Sequence, residues 1–395
     1  MKRIVYFLFI TILFSSCYAV RAYRFRKFEY KDLDKFRVTT IKKSTRPFHF
    51  EYAQRDHSTL TSYLDSNLQN SSTYAFLVIQ DDSILYEKYF APIDSAAILP
   101  SFSVVKSFVS TLAQIAHQEG KIKSFADPVT EYLPWLLKSD SRWQYVTVQH
   151  VLDMRTGVKS SETYDSPFSD VIRLGFTRNV SNRLQKPILD TLPGKFIYKS
   201  VNTQILASVI EAATGQKLQD YLYEKLWLPL GMESDATWHI DAKGTVRAFC
   251  CLNATLKDYA KIGRLYLRNG NWEGAQLLSP QWVQTILNAD TMRIYQGYKN
   301  HWWSSRTIKR FQAAEEALEF IQTNPDWYYT ETIRNGKVYY NANKNLKGIF
   351  AQGMLGQFLY VNPQKRLIIV RLGHNWSHPR YYAQKFIEEL AEMID

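Results

Sequence analysis

Residues 103–118 set the tightest limit on what this chain can fold into. Apolar side chains stand at Val104, Val105, Phe108, Val109, Leu112, Ile115 and Ala116. That is helical spacing with an apolar face too wide for a surface helix, so the segment is read as a buried helix stopped by Gly120. Lys106 lies inside it, and a buried lysine needs a reason. Ser103, three residues earlier, projects from the same face one turn away. The amine can then reach the serine oxygen. A lysine titrates near ~10.4 in water, and burial or nearby positive charge lowers that. The pair has the parts of an activated nucleophile, with the positive helix end close to the serine. The bland alternative is a capping serine and a lysine that reaches solvent.

The rest of the chain frames this helix. Residues 57–68 read as a helix. Tyr74 to Gln80 and Ile84 to Tyr89 flank Asp81-Asp82-Ser83 as a β-hairpin. Residues 125–235 are mostly helical, with Thr147 capping one helix and Gly215 ending another at 202–214. Helices are expected at 255–269 and 279–288. Strands return at the end: Trp327 to Ile333 and Lys337 to Tyr340 around Asn335-Gly336, then Gln357 to Val361 and Leu367 to Leu372 around Asn362-Pro363. Residues 381–394 close as an amphipathic helix. Strands at both ends imply one sheet built from both termini, with a helical lobe (about 125–235) inserted between. Residues 306–347 read as a further insertion, either a lid or peripheral decoration.

The N-terminus reads as an export signal. Lys2-Arg3 precedes an eleven-residue apolar run, Ile4 to Phe14, and then Ser15-Ser16-Cys17. This resembles a bacterial lipoprotein signal with Cys17 as the lipid-attachment residue. Ordinary cleavage and an uncleaved anchor stay open, and all three place the remainder in the exported cell envelope. Net charge is +12, yet the 21–46 stretch alone holds ten Lys/Arg against Glu29, Asp32 and Asp34. A nucleic-acid binder usually carries its basic patch on the folded domain, so nucleic acid is not an expected partner. Residues 18–50 are read as a basic tether, either a solvated linker or a segment attracted to anionic envelope surfaces. Domain limits are thus 1–17, 18–50 and 51–395. The chain has three cysteines, Cys17, Cys250 and Cys251. Adjacent cysteines bridge only with strain, so no useful structural disulfide is expected and Cys250-Cys251 is read as packing.

Other chemistries lack their signatures. There is no GxSxG elbow, P-loop, GxGxxG or HExxH. His374 and His378 sit four apart in a loop and are read as ordinary. Several segments in order resemble one superfamily. They are Ser101-Phe102-Ser103-Val104-Val105-Lys106-Ser107-Phe108, Asp127-Pro128 through Tyr132-Leu133-Pro134, Thr147 to Gly157, Pro193-Gly194 with Tyr198-Lys199-Ser200, Pro229-Leu230-Gly231-Met232, and Gly353-Met354-Leu355-Gly356-Gln357. Together they resemble the serine β-lactamase and penicillin-binding superfamily, in particular its class C-like serine hydrolases, which include esterases and 6-aminohexanoate-dimer hydrolases. The resemblance covers about residues 74–392.

That resemblance implies a β-lactamase/transpeptidase-like α/β (α+β) fold, with an antiparallel sheet flanked by helices and Ser103 in a cleft beside the helical lobe. It implies a serine hydrolase working without metal or organic cofactor. Ser103 would be the acylated nucleophile. Lys106 would take its proton or hold Tyr198 ionised, and Tyr198 would be the general acid/base. The oxyanion hole would use the backbone N–H groups of Ser103 and Met354. Ser200 would contact substrate; Tyr164, in the loop Glu162 to Pro167, would contact substrate or simply pack the loop, and Gln357 would contact substrate or stabilise its strand. Two departures matter. Ser200 stands where β-lactamases carry Asn, and Gly353 to Gln357 replaces Lys-Thr-Gly, the pair that helps grip a substrate carboxylate. An ester or amide lacking that carboxylate is therefore the expected small-molecule or peptide-like substrate. A D,D-peptidase or β-lactamase-like cell-wall enzyme is the alternative, as is a non-catalytic envelope binding protein on the same fold.

Overall fold

The expected hairpin forms, and its turn is set by two aspartates. Thr73–Gln80 and Ser83–Tyr89 pair antiparallel, and Asp81 and Asp82 both take positive φ (52° and 62°). Two successive left-handed residues give the twist that a two-residue hairpin needs, and Asp is among the residues that tolerate it. The computed structural model describes residues 18–24, 29–184, 187–289, 297–334, 337–377 and 383–394. The leader with Cys17, the Asn335-Gly336 turn and His378 lie outside the described residues.

The chain divides into two units. Unit 1 comprises Met1–Thr45, Ile98–Pro229 and Ser234–Ala254; unit 2 comprises Arg46–Ala97, Leu230–Glu233 and Thr255–Asp395.

Unit 2 carries a nine-stranded sheet drawn from both ends of the chain, as expected. Its order is Tyr298–Lys299, Trp302–Phe311, Lys337–Gly353, Gln357–Asn362, Leu367–Gly373, Thr73–Gln80, Ser83–Tyr89 and Glu51–Tyr52, with Trp327–Arg334 beside Lys337–Gly353. Pairing is antiparallel except at Glu51–Tyr52. Early and late strands meet directly, with Val78 opposite Ile369. The two-residue period sends Phe76, Val78, Phe358, Tyr360 and Ile369 to one face, where Leu64, Leu68, Phe386 and Leu390 of the Ser58–Leu68 and Ala383–Met393 helices cover them. The other face meets the Leu256–Leu267 helix at Gly263, where an added Cβ would sit 2.9 Å from Ile368. Within the 306–347 insertion, Phe320 of the Ala314–Thr323 helix packs on Phe311 and Trp327.

Unit 1 holds the Val105–Gln118 and Val201–Thr214 helices. Val105–Gln118 is buried from Val105 through Ala116, and Val201–Thr214 ends at Gly215 with φ 70°. A four-stranded sheet runs Val38–Ile41, Ala236–His239, Leu252–Ala254, Leu99–Pro100. Two expectations change here. Residues 38–41, read as part of a tether, are a strand paired with 236–239, and Tyr18–Arg24 is a helix. Apolar residues between the charges anchor this stretch: Ile41 is buried and the Phe36 ring stacks on His239 at 4.6 Å. Lys42 pairs with Asp235 of the same unit at 2.8 Å. Second, Cys250 and Cys251 are joined by a disulfide, at a loop where Cys251 takes a φ of 73°. Among the described residues, no helix is long and apolar enough to cross a membrane.

Candidate active site

Ser103 lies in the turn that precedes its helix. Phe102–Val104 forms a 3-10 turn running straight into Val105–Gln118. Phe102 takes a φ of 43°, a left-handed conformation that is costly for a bulky residue and that recurs at functional sites. Ser103 is half-buried, while Lys106 is only 1% exposed. Lys106 Nζ lies 2.8 Å from Ser103 Oγ and donates to the Phe249 carbonyl over 2.6 Å. Burial pulls the lysine down to about 7, opposed in part by the Glu162 carboxylate. A large fraction of Lys106 is then neutral at neutral pH, with a lone pair able to accept the Ser103 proton.

Tyr198 completes the set. It hydrogen-bonds to Ser103, and the Lys106 Nζ lies 5.3 Å from its ring centroid. Its place is fixed by the chain beside it: the Ile197 N–H donates to the Met154 carbonyl and Lys199 Nζ to the Val158 carbonyl. Burial works against the ionised tyrosine expected as one alternative. Burial pushes the Tyr198 phenol far above its ordinary value, against the lowering effect of the Ser103 hydrogen bond and with Glu162 adding to the rise. Burial thus favours a protonated Tyr198 and a neutral Lys106.

Ser200 differs from expectation. It is 1% exposed, and both its polar groups go to Glu162: the hydroxyl donates to Oε1 over 2.5 Å and the N–H to Oε2 over 2.9 Å. A short hydroxyl at the start of the Val201–Thr214 helix is spent on holding a carboxylate and is not presented to substrate. Tyr164, 38% exposed, donates to the same Oε1 over 2.7 Å. Glu162 is thus the residue that sequence reasoning missed. Its only signal was its place two residues before Tyr164. A cavity of about 410 Å³ in the same unit is lined by Val158, Ser160, Leu174, Ile188 and Val201, with the Asp170–Arg183 ion pair among its walls.

Met354 and Gln357 belong to unit 2. Met354 opens the 3-10 turn Met354–Gly356 and is 39% exposed. Gln357 is fully buried: its Nε2 donates to the Met354 and Gly373 carbonyls and its Oε1 accepts from the Gly373 N–H. Its amide pins the turn from behind and is not offered to substrate, since every polar atom has a backbone partner. Buried Arg371 reinforces it, donating to the Leu355, Gly356, Ser71 and Asn375 carbonyls and to Thr73 Oγ1. Among the described residues no group of three His, Cys, Asp or Glu side chains is placed to hold a metal ion.

The profile of the Beta-lactamase family matches residues 64–391. A 6-aminohexanoate-dimer hydrolase of Paenarthrobacter ureafaciens is 30% identical over 330 residues, covering 80% of this chain and 76% of the relative. The solved structure of a Bacillus anthracis protein assigned as a 6-aminohexanoate-dimer hydrolase superposes with a TM-score of 0.70 at 22% identity, covering 94% of this chain and 92% of that one. A class C β-lactamase superposes with a TM-score of 0.54 at 15% identity, covering 87% and 98%.

Proposed function

This chain belongs to the β-lactamase family and is a serine hydrolase, and from that premise we propose that it cleaves an ester or amide through a Ser103 acyl-enzyme. The observation that carries this reading is the contact of Ser103 Oγ with both Lys106, lowered to about 7, and protonated Tyr198. Neutral Lys106 takes the Ser103 proton as Oγ attacks the carbonyl carbon. As the tetrahedral intermediate collapses, Tyr198 gives its proton to the leaving oxygen or nitrogen and is reprotonated from the Lys106 ammonium. Water then repeats the sequence on the acyl-enzyme. The N–H group of Ser103 is a proposed oxyanion donor.

For substrate class, the absence of a Lys-Thr pair at 353–357 and the Glu162 carboxylate acting on Lys106 disfavour a substrate carboxylate close to the scissile bond. The relative named for 6-aminohexanoate dimer cleavage supports a linear amide. We also propose export, with Cys17 carrying a lipid that holds the enzyme at the cell-envelope membrane; retention of membrane association by a Cys17→Ala variant tests that part.

Activity is tested by acid-quenching turnover of a p-nitrophenyl ester and of a linear amide, then measuring intact mass. An acyl adduct that maps to Ser103 supports the reading. Turnover in a Ser103→Ala variant equal to wild type defeats it.

A further inference from the structure

Lys106 has a second partner, the Phe249 carbonyl, next in the chain to the adjacent cysteines. A neutral primary amine carries two N–H bonds and one lone pair. One N–H of Lys106 is engaged by the Phe249 carbonyl at 2.6 Å, which limits rotation about the terminal C–N bond. The Ser103 oxygen at 2.8 Å is then met by a defined side of the nitrogen. Phe249 is itself 4% exposed, with its ring 5.8 Å from the same nitrogen.

Directly after Phe249 comes the Cys250–Cys251 disulfide. Joining adjacent residues closes almost no loop, so the bond contributes little by constraining the unfolded chain, and its effect is on local geometry. That geometry is unusual. Cys251 is left-handed (φ 73°), a conformation that a side chain with a Cβ rarely adopts unheld. The backbone around it is fastened on both sides. The Cys250 N–H donates to the Arg247 carbonyl over 3.1 Å, Trp238 Nε1 donates to the Cys250 carbonyl over 3.0 Å, and the His239 N–H donates to the Cys251 carbonyl over 3.1 Å. Leu252 then enters its strand opposite Trp238. One peptide link separates this fixed ring from the carbonyl that holds the base. Both cysteines are half-buried.

We propose that the Phe249 carbonyl is a positioning group for the Lys106 amine, and that the Cys250–Cys251 disulfide is a redox-sensitive element that keeps this carbonyl, and so the base, in register. The inference rests on Lys106 acting as the base for Ser103. In the oxidised form the 249–251 backbone is held and the amine faces the nucleophile. Reduction by a dithiol transfers two electrons and two protons: the Sγ–Sγ bond breaks, two thiols form, and the reductant closes to its own disulfide. Cys251 then loses the constraint on its left-handed backbone, the Phe249 peptide can turn, and the amine loses its orientation. The other ionisable groups acting on Lys106 are Tyr198 and Glu162.

The experiment is p-nitrophenyl butyrate hydrolysis by the full chain, oxidised, reduced with dithiothreitol, and reoxidised. Intact mass reports the gain of two hydrogens, and a thermal melt reports the fold. The expected result is a reversible fall in kcat on the order of ten- to a hundredfold on reduction, with KM little changed, the fold retained and the pH midpoint of kcat/KM moved. A Cys250→Ser/Cys251→Ser variant should sit at the reduced level and ignore dithiothreitol. Equal kcat and pH midpoint in both redox states would overturn the inference while leaving the hydrolase reading intact. Alkylation of both cysteines in the native protein before any reductant would overturn it too, as would loss of activity only in step with loss of the fold. An oxidised protein that neither turns over nor acylates at Ser103 would overturn the hydrolase reading and this inference together.

Discussion

The Ser200 hydroxyl donates to Glu162 Oε1 over 2.5 Å, and through that bond a carboxylate is held where its charge acts on both Lys106 and Tyr198. Glu162 raises Lys106 against the larger lowering by burial. In Glu162→Gln the negative charge is gone and the Lys106 pKa falls further. The acid limb of kcat/KM, expected near pH 7 in wild type, should move to lower pH. A pH-rate profile on an activated ester reads the shift, and an unmoved limb would show that Glu162 does not act on the base.

Tyr198→Phe removes the donor but not the base. Loss of a positioned acid costs typically 10²–10⁴-fold. p-Nitrophenolate leaves without protonation, whereas an amine does not. Tyr198→Phe should therefore lose on the order of a hundredfold or more on a linear amide and much less on a p-nitrophenyl ester. Equal losses on the two substrates would argue against a leaving-group role.

Lys106 is costly to keep. Its folded pKa, about 7, lies below the unfolded value of 10.5. Between those values the unfolded chain binds the extra proton, so wild-type stability rises with pH across that window. Lys106→Met should be inactive yet more stable than wild type at pH 7, by at most roughly 5 kcal/mol, with the gap narrowing toward pH 10. Urea unfolding at several pH values measures it.

The turn carrying Met354 depends on Arg371, whose donors satisfy the Ser71, Gly356 and Asn375 carbonyls. Arg371→Met leaves the buried Ser71 carbonyl without its donor and removes those of the part-buried Gly356 and Asn375 carbonyls, and should cost about 1–3 kcal/mol. Arg371→Lys, with three donors in place of five, should recover part of it. Chemical denaturation compares the three proteins.

Much of this was legible in the sequence because it is local or periodic. Ser103 and Lys106 are one helical turn apart, and the sheet strands alternate on a two-residue period. Asp81-Asp82 announces its hairpin. Tyr198 was reachable only through its resemblance to a known motif. What escaped was set by tertiary contact. Glu162 meets Ser200 across 38 residues. The Phe249 carbonyl has no side-chain signature at all. Ser200 was read toward substrate because its polarity was visible and its burial was not. The 38–41 strand was hidden by surrounding lysines and arginines, although Phe36 and Ile41 carried its anchoring.

The central claim is that Ser103 is a nucleophile activated by Lys106. Its most direct test is labelling with a fluorophosphonate probe, read by intact mass, on wild type, Ser103→Ala and Lys106→Ala. The account predicts one adduct on wild type, none on Ser103→Ala, and slow labelling of Lys106→Ala. A folded wild type that takes no adduct, or a Lys106→Ala variant that labels as fast as wild type, would contradict it.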